Sequence, residues 1–160
     1  MSFEKPNDNK LFLELKQTTP NKEEIHTLIK QGANINAINT IEDSMLQVAI
    51  NETEYFDLPL ANIQLIIDLG ADLEYGTEGF NCLFDACLTQ NYNLVELLLK
   101  AGANPNCIST VSYRESLLDW AECDRFVEEN NGESGAKAMA KIIKLLKKFG
   151  AKHFTELNTK

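Results

Sequence analysis

Four ten-residue stretches carry one pattern of apolar and polar positions: EIHTLIKQGA (24–33), NIQLIIDLGA (62–71), LVELLLKAGA (94–103) and IIKLLKKFGA (142–151). Ile25, Leu28 and Ile29 of the first recur as Ile63, Ile66 and Ile67, and again as Val95, Leu98 and Leu99. Spacings of three and four place these side chains on one helical face, which must be buried. Gly32, Gly70, Gly102 and Gly150 stand where a helix ends in a left-handed residue, a conformation glycine adopts without steric cost.

A shorter element precedes the last three stretches: SMLQVA (44–49), NCLFDA (81–86) and SLLDWA (116–121). Ser44, Asn81 and Ser116 are placed to cap a helix, their side-chain oxygens accepting from free backbone N–H groups. After each Gly-Ala the chain turns polar (NINAINTIED, DLEYGTEG, NPNCISTVSYR), which suits extended hairpins better than helix. An additional helix is expected over Asn9–Gln17, with Lys10, Glu14 and Lys16 on one side. Self-similarity of this kind marks stacked helical units that bury their apolar faces against one another.

The pattern resembles the ankyrin repeat family, from about residue 8 to the end. LVELLLKAGANPN follows the family's second-helix signature V-V-x-L-L-L-x-x-G-A-x-x-N almost position for position, and GANIN (32–36) and GADLE (70–74) fit its close. SMLQVA, NCLFDA and SLLDWA match the first-helix signature T-P-L-H-x-A in part. The resemblance implies an all-α, ankyrin-repeat solenoid of helix-turn-helix units joined by β-hairpin-like loops. A single domain over 1–160 is expected, with units near 8–40, 41–78, 79–112 and 113–154.

The departures are specific. Met45, Cys82 and Leu117 replace the signature proline, and Gln47, Phe84 and Asp119 replace the histidine. The hydrogen bond which that histidine provides in the family must be replaced or lost. Ser44 to Gly70 is five residues longer than Asn81 to Gly102, and Ser116 to Gly150 is thirteen longer. The excess lies near 51–60 and 124–137. Insertions in a solenoid fall on one edge, where binding is often customised. Tolerated drift explains them equally well, because loop length costs little free energy.

The charge is unevenly placed. The 160 residues carry 15 Lys and Arg against 24 Asp and Glu, a net −9. No Lys or Arg occurs from Gln31 to Leu99, while eleven acids do. Cations collect at the C-terminal end, where Lys147 replaces an aliphatic and Lys141, Lys144 and Lys148 flank it. That cluster reads as a solvated capping face near a helix C-terminus, ahead of a site for an acidic or phosphate-bearing partner. The acidic total disfavours a nucleic-acid binder. No apolar run is long enough for a bilayer, and the polar N-terminus lacks a signal-peptide pattern. A cytoplasmic protein, monomeric when free, is expected, binding neither nucleic acid nor membrane.

Candidate chemistry is sparse. Cys82, Cys87, Cys107 and Cys123 form no C-x-x-C pair, and His26 and His153 are the only histidines, so metal-ligand spacing is lacking. There is no phosphate-binding glycine motif; Gly76 and Gly79 read as turn residues. A dyad of Cys82, Cys87 or Cys123 with His26 stays open from sequence, although Cys82 and Cys87 fall on positions expected to pack between helices. Acid pairs such as Glu42–Asp43 and Glu128–Glu129 read as solvated loop charge. No catalytic residue, cofactor or metal is assigned.

The resemblance implies a concave binding face made by the hairpin tips and the late first-helix positions. Carried over, these are Thr40, Ile41 and Asp43; Thr77, Glu78 and Phe80; Tyr113 and Glu115; and Asn51, Glu52, Leu88, Thr89, Cys123 and Asp124. Ile41, Phe80, Leu88 and Tyr113 would serve as exposed anchors, since aromatics carry much interface energy. Trp120 is expected to pack in the core rather than touch a partner; Ile108 and Val111 are either anchors or hairpin packing. The partner expected is a protein with a basic surface or a basic peptide, because one-sign charge steers an opposite one. Acidity that serves solubility alone is the alternative. Beside a non-catalytic interaction module stand an antidote masking a basic toxin or nuclease active site, and an enzyme using an inserted loop.

Overall fold

Each of the four glycines that close the repeated stretches has positive φ, +90° at Gly32 and Gly70, +102° at Gly102 and +88° at Gly150. Each therefore ends a helix where the apolar pattern stops. These helices belong to a computed structural model that describes residues 2–77, 80–109, 115–123 and 132–158. The described chain is mostly helical with short strands, and it divides into two compact units, Met1–Tyr75 and Gly76–Lys160.

The first unit contains α1 (Pro6–Leu15), α2 (Lys22–Lys30), α3 (Met45–Tyr55) and α4 (Leu60–Asp68). The α1 helix begins three residues earlier than the apolar pattern predicts. Pro6 opens it, at a position where a missing N–H is no loss. Asn21 caps α2 through the N–H groups of Glu23 and Glu24, and Ser44 caps α3 through that of Gln47. Leu11, Leu15, Ile25, Met45, Leu46, Ile50, Ile63 and Ile66 form the core. Buried Asn62 fastens α4 to the end of α1, its amide donating to the carbonyls of Leu15 (2.7 Å) and Gln17 (2.8 Å). Asn36 works likewise between consecutive repeats, donating to Gly70 O (3.2 Å) and accepting from Asp72 N–H (2.8 Å).

The insertion near 51–60 is not simply a loop. Residues 51–55 extend α3, Phe56 terminates it, and Asp57 reverses the chain at φ +52°. Leu58 then returns to the interior, only 8% exposed.

The second unit contains β1 (Gly76–Thr77) antiparallel to β2 (Phe80–Asn81), then α5 (Cys82–Leu88), α6 (Tyr92–Ala101), β3 (Ile108–Ser109) antiparallel to β4 (Glu115–Ser116), α7 (Leu117–Glu122), α8 (Gly132–Lys148) and α9 (Phe154–Leu157). A side chain at Gly76 would put its Cβ 2.1 Å from the Phe80 carbonyl oxygen, so the strand pair requires glycine there. Leu83, Phe84, Leu94, Val95, Leu98, Ile142 and Leu146 build the core. Asn106 repeats the role of Asn36, donating to Gly150 O (3.2 Å) and accepting from Lys152 N–H (2.9 Å).

The missing signature histidine is replaced in two ways. Gln47 and Asp119 each close a capping box, accepting from the N–H of Ser44 (3.1 Å) and Ser116 (3.2 Å). Phe84 substitutes packing for polarity. Its ring lies 4.5 Å from Phe80 and 4.4 Å from Trp120, centroid to centroid.

Candidate functional site

Residues expected on the binding face gather in two places in the first unit. One is the turn over 39–43. Buried Asn39 organises it, its Oδ1 accepting from the N–H groups of Ile41 (2.9 Å) and Asp43 (3.0 Å). Glu42 completes the reversal at φ +67°, and the Tyr75 hydroxyl donates to its carbonyl (3.1 Å). This local frame turns Thr40 and Ile41 to solvent, Ile41 59% exposed, with Asp43 half-buried beside them.

The other place is an open groove of about 610 Å³ between α1 and α3. Phe12 and Leu13 line it from α1 and Lys16 from just beyond its last residue; Asn51, Glu52, Tyr55 and Phe56 line it from α3 and its end. Lys16 pairs with Glu52 at 2.5 Å, and its ammonium lies 5.2 Å from the Phe12 ring centroid and 5.8 Å from that of Phe56. Tyr55 and Phe56 are 72% and 74% exposed. Asn51 and Glu52 are thus brought together with side chains the repeat pattern does not single out. One signal for them was present: two adjacent aromatics, Tyr55 and Phe56, inside an otherwise acidic insertion.

In the second unit, Leu88 is 42% exposed at the end of α5. Half-buried Thr89 spends its hydroxyl on the Ala86 carbonyl (2.9 Å). Phe80 is a correction to the expected exposed anchors: it is half-buried and packs edge-on against Phe84, because a pairing strand holds its ring over the core. Glu115 and Cys123 are half-buried. Thr77 lies in β1; Glu78, Val111, Tyr113, Asp124 and the Glu128–Glu129 pair lie outside the described residues, as does most of the 124–137 insertion. Trp120 is half-buried, its ring packing on Phe84. On α8, Met139, Ile142, Leu145 and Leu146 are buried while Lys141, Lys144 and Lys148 are exposed, and Lys147 pairs with Glu122 at 2.7 Å.

A second polar cluster has the look of a catalytic triad but the wrong wiring. Half-buried Asp119 meets His153 Nδ1 at 2.7 Å, the Ser116 hydroxyl at 2.8 Å and the Phe154 N–H at 2.7 Å. Partial burial pushes the Asp119 carboxyl up, but these donors outweigh it and hold it at about 2. The same hydrogen bond raises the His153 imidazole above its ordinary value, with Glu122 and Glu156 adding. Ser116 is fully buried and donates to the carboxylate rather than to the imidazole, so the Ser–His contact of a triad is not made. The cluster fastens α9 onto α7. Burial pushes the Cys87 thiol up, with Cys107 contributing, which keeps it protonated.

Helix pairs, left-handed glycine closures and short antiparallel strands define a helical repeat protein. The ankyrin repeat family model matches residues 78–110, the stretch that carries β2, α5, α6 and β3. No curated protein matches the chain. Ankyrin repeats typically bind other proteins. Among the described residues, no helix is long and apolar enough to cross a membrane.

Proposed function

We propose that the chain is a non-catalytic protein–protein interaction module whose acidic side binds a partner with a basic surface or a basic peptide. The observation that carries this reading is the pair Tyr55 and Phe56, 72% and 74% exposed on a groove that also holds Glu52. Exposed aromatics beside a concave apolar lining favour a partner over water. The cation-free run from Gln31 to Leu99 sets the sign of that partner. Thr40, Ile41, Asp43, Asn51, Glu52, Thr77, Glu78, Leu88, Thr89, Tyr113, Glu115 and Asp124 are the residues offered to it. The protein would act in the cytoplasm, monomeric until bound.

The test is capture from the native source with the wild-type chain and with Tyr55→Ser/Phe56→Ser, circular dichroism confirming equal helix content. A protein retained by the wild type and lost from the double variant is the expected result. Equal recovery on both removes the groove from the interaction.

A further inference from the structure

We infer that Glu52, Phe12 and Phe56 form a seat for a cationic side chain of the partner, and that Lys16 plugs this seat while the groove is empty. The inference rests on the interaction-module reading and names the chemistry it recognises.

Lys16 follows the last residue of α1, and three attractions converge on its ammonium: the Glu52 carboxylate and the two ring faces. A carboxylate with two aromatic faces is a general cation receptor, selecting charge through hydrogen bonding and ring quadrupoles together. Arginine fits it better than lysine, because a planar guanidinium both stacks on rings and pairs with a carboxylate in two bonds. The Glu52 side chain is only 15% exposed, so its charge is held near a partner that must stay cationic. Neither α3 nor α4 can supply a substitute, since no Lys or Arg occurs from Gln31 to Leu99.

The Lys16 side chain is 32% exposed and tethered at one end, so an incoming cation can displace it into solvent without unfolding anything. Beside the seat, Leu13 (59% exposed), Tyr55 and Phe56 offer apolar contact. The occupant they define is a short segment with an arginine next to a large apolar residue. Lys16 then acts as an internal competitor that sets a threshold for binding: weak basic ligands fail to displace it, and those that add apolar contact succeed.

The test uses the full-length chain, isotope-labelled for NMR, titrated with the acetylated, amidated tripeptide Leu-Arg-Leu and with its citrulline counterpart. Chemical-shift changes are expected in α1 and α3. Lys16→Gln removes the competitor and should tighten the arginine peptide about 1.5- to fivefold, the gain for a partly exposed ion pair of ordinary strength. The citrulline peptide should not gain. Glu52→Gln should bring the arginine peptide down to the level of the citrulline one. Arginine-peptide affinity unchanged or weakened in Lys16→Gln, shifts confined to other elements, or no binding to any variant each overturns the inference. Those outcomes, with capture still lost in Tyr55→Ser/Phe56→Ser, would leave the module reading intact and remove only the seat.

Discussion

Asn62→Ala tests the packing that gives the groove its shape. Asn62 is 2% exposed, and its amide is the tie between α4 and the carbonyls of Leu15 and Gln17 at the end of α1. That end of α1 supplies Phe12, Leu13 and Lys16. Truncation removes two hydrogen bonds and leaves a buried carbonyl without a donor, a loss of about 2–3 kcal/mol. For a chain of this size the corresponding fall in Tm is roughly 5–10 °C. Asn62→Asp should be worse, since a carboxylate cannot donate and would face two carbonyl oxygens. Gln64→Ala is the control: it is exposed on the same helix and bonds only to Asp68 (2.8 Å), so its loss should stay within about 0.5 kcal/mol. The assay is thermal and urea unfolding followed by circular dichroism. If Asn62→Ala unfolds at the same midpoint as Gln64→Ala, the tie contributes nothing and this account of how α1 is positioned is wrong.

Further outcomes follow from the second unit. Phe84→Ala should cost about 3–5 kcal/mol by urea unfolding, because a fully packed ring between Phe80 and Trp120 is lost. Attachment of α9 should be strongest in mildly acid solution. His153 titrates above 6.5 when folded, so its contribution is complete below that pH and is lost as pH rises through the raised value. Asp119 is held at about 2 against 3.8, so its contribution is present above 3.8 and is lost as pH falls towards 2. Hydrogen exchange at the Phe154 amide should show both limbs, and His153→Ala should abolish the upper one. With a thiol reagent on the native protein, half-buried Cys107 and Cys123 should react before buried Cys82 and Cys87. Equal rates would contradict the burial described.

What could be read from sequence was local. Glycine closure at residues 32, 70, 102 and 150 and capping by Ser44, Asn81 and Ser116 each depend on a few neighbours, so pattern alone specifies them. Replacement of the family histidine was only half legible. Gln47 and Asp119 sit at capping-box spacing, but the partners His153 and Phe154 that complete Asp119 come from some 35 residues along the chain. The groove was hidden for a related reason. Its α1 wall reads as a polar cap because Lys10, Glu14 and Lys16 dominate the pattern, and its α3 wall falls in an insertion that continues the helix to Tyr55 before Leu58 returns to the core. Asn51 and Glu52 could be nominated by resemblance; the aromatic and cationic side chains facing them could not. Phe80 shows the opposite error, an apolar residue at a tip position that tertiary packing turns inward.

The central claim, that acidic side chains recruit a basic partner, is tested most directly by measuring partner affinity across salt for the wild type and for Glu42, Asp43, Glu78 and Asp124 changed together to Lys. The account predicts wild-type affinity that falls as salt rises, and a variant that binds more weakly with a flattened or inverted salt dependence. Equal affinity and equal salt dependence in the two proteins would contradict it.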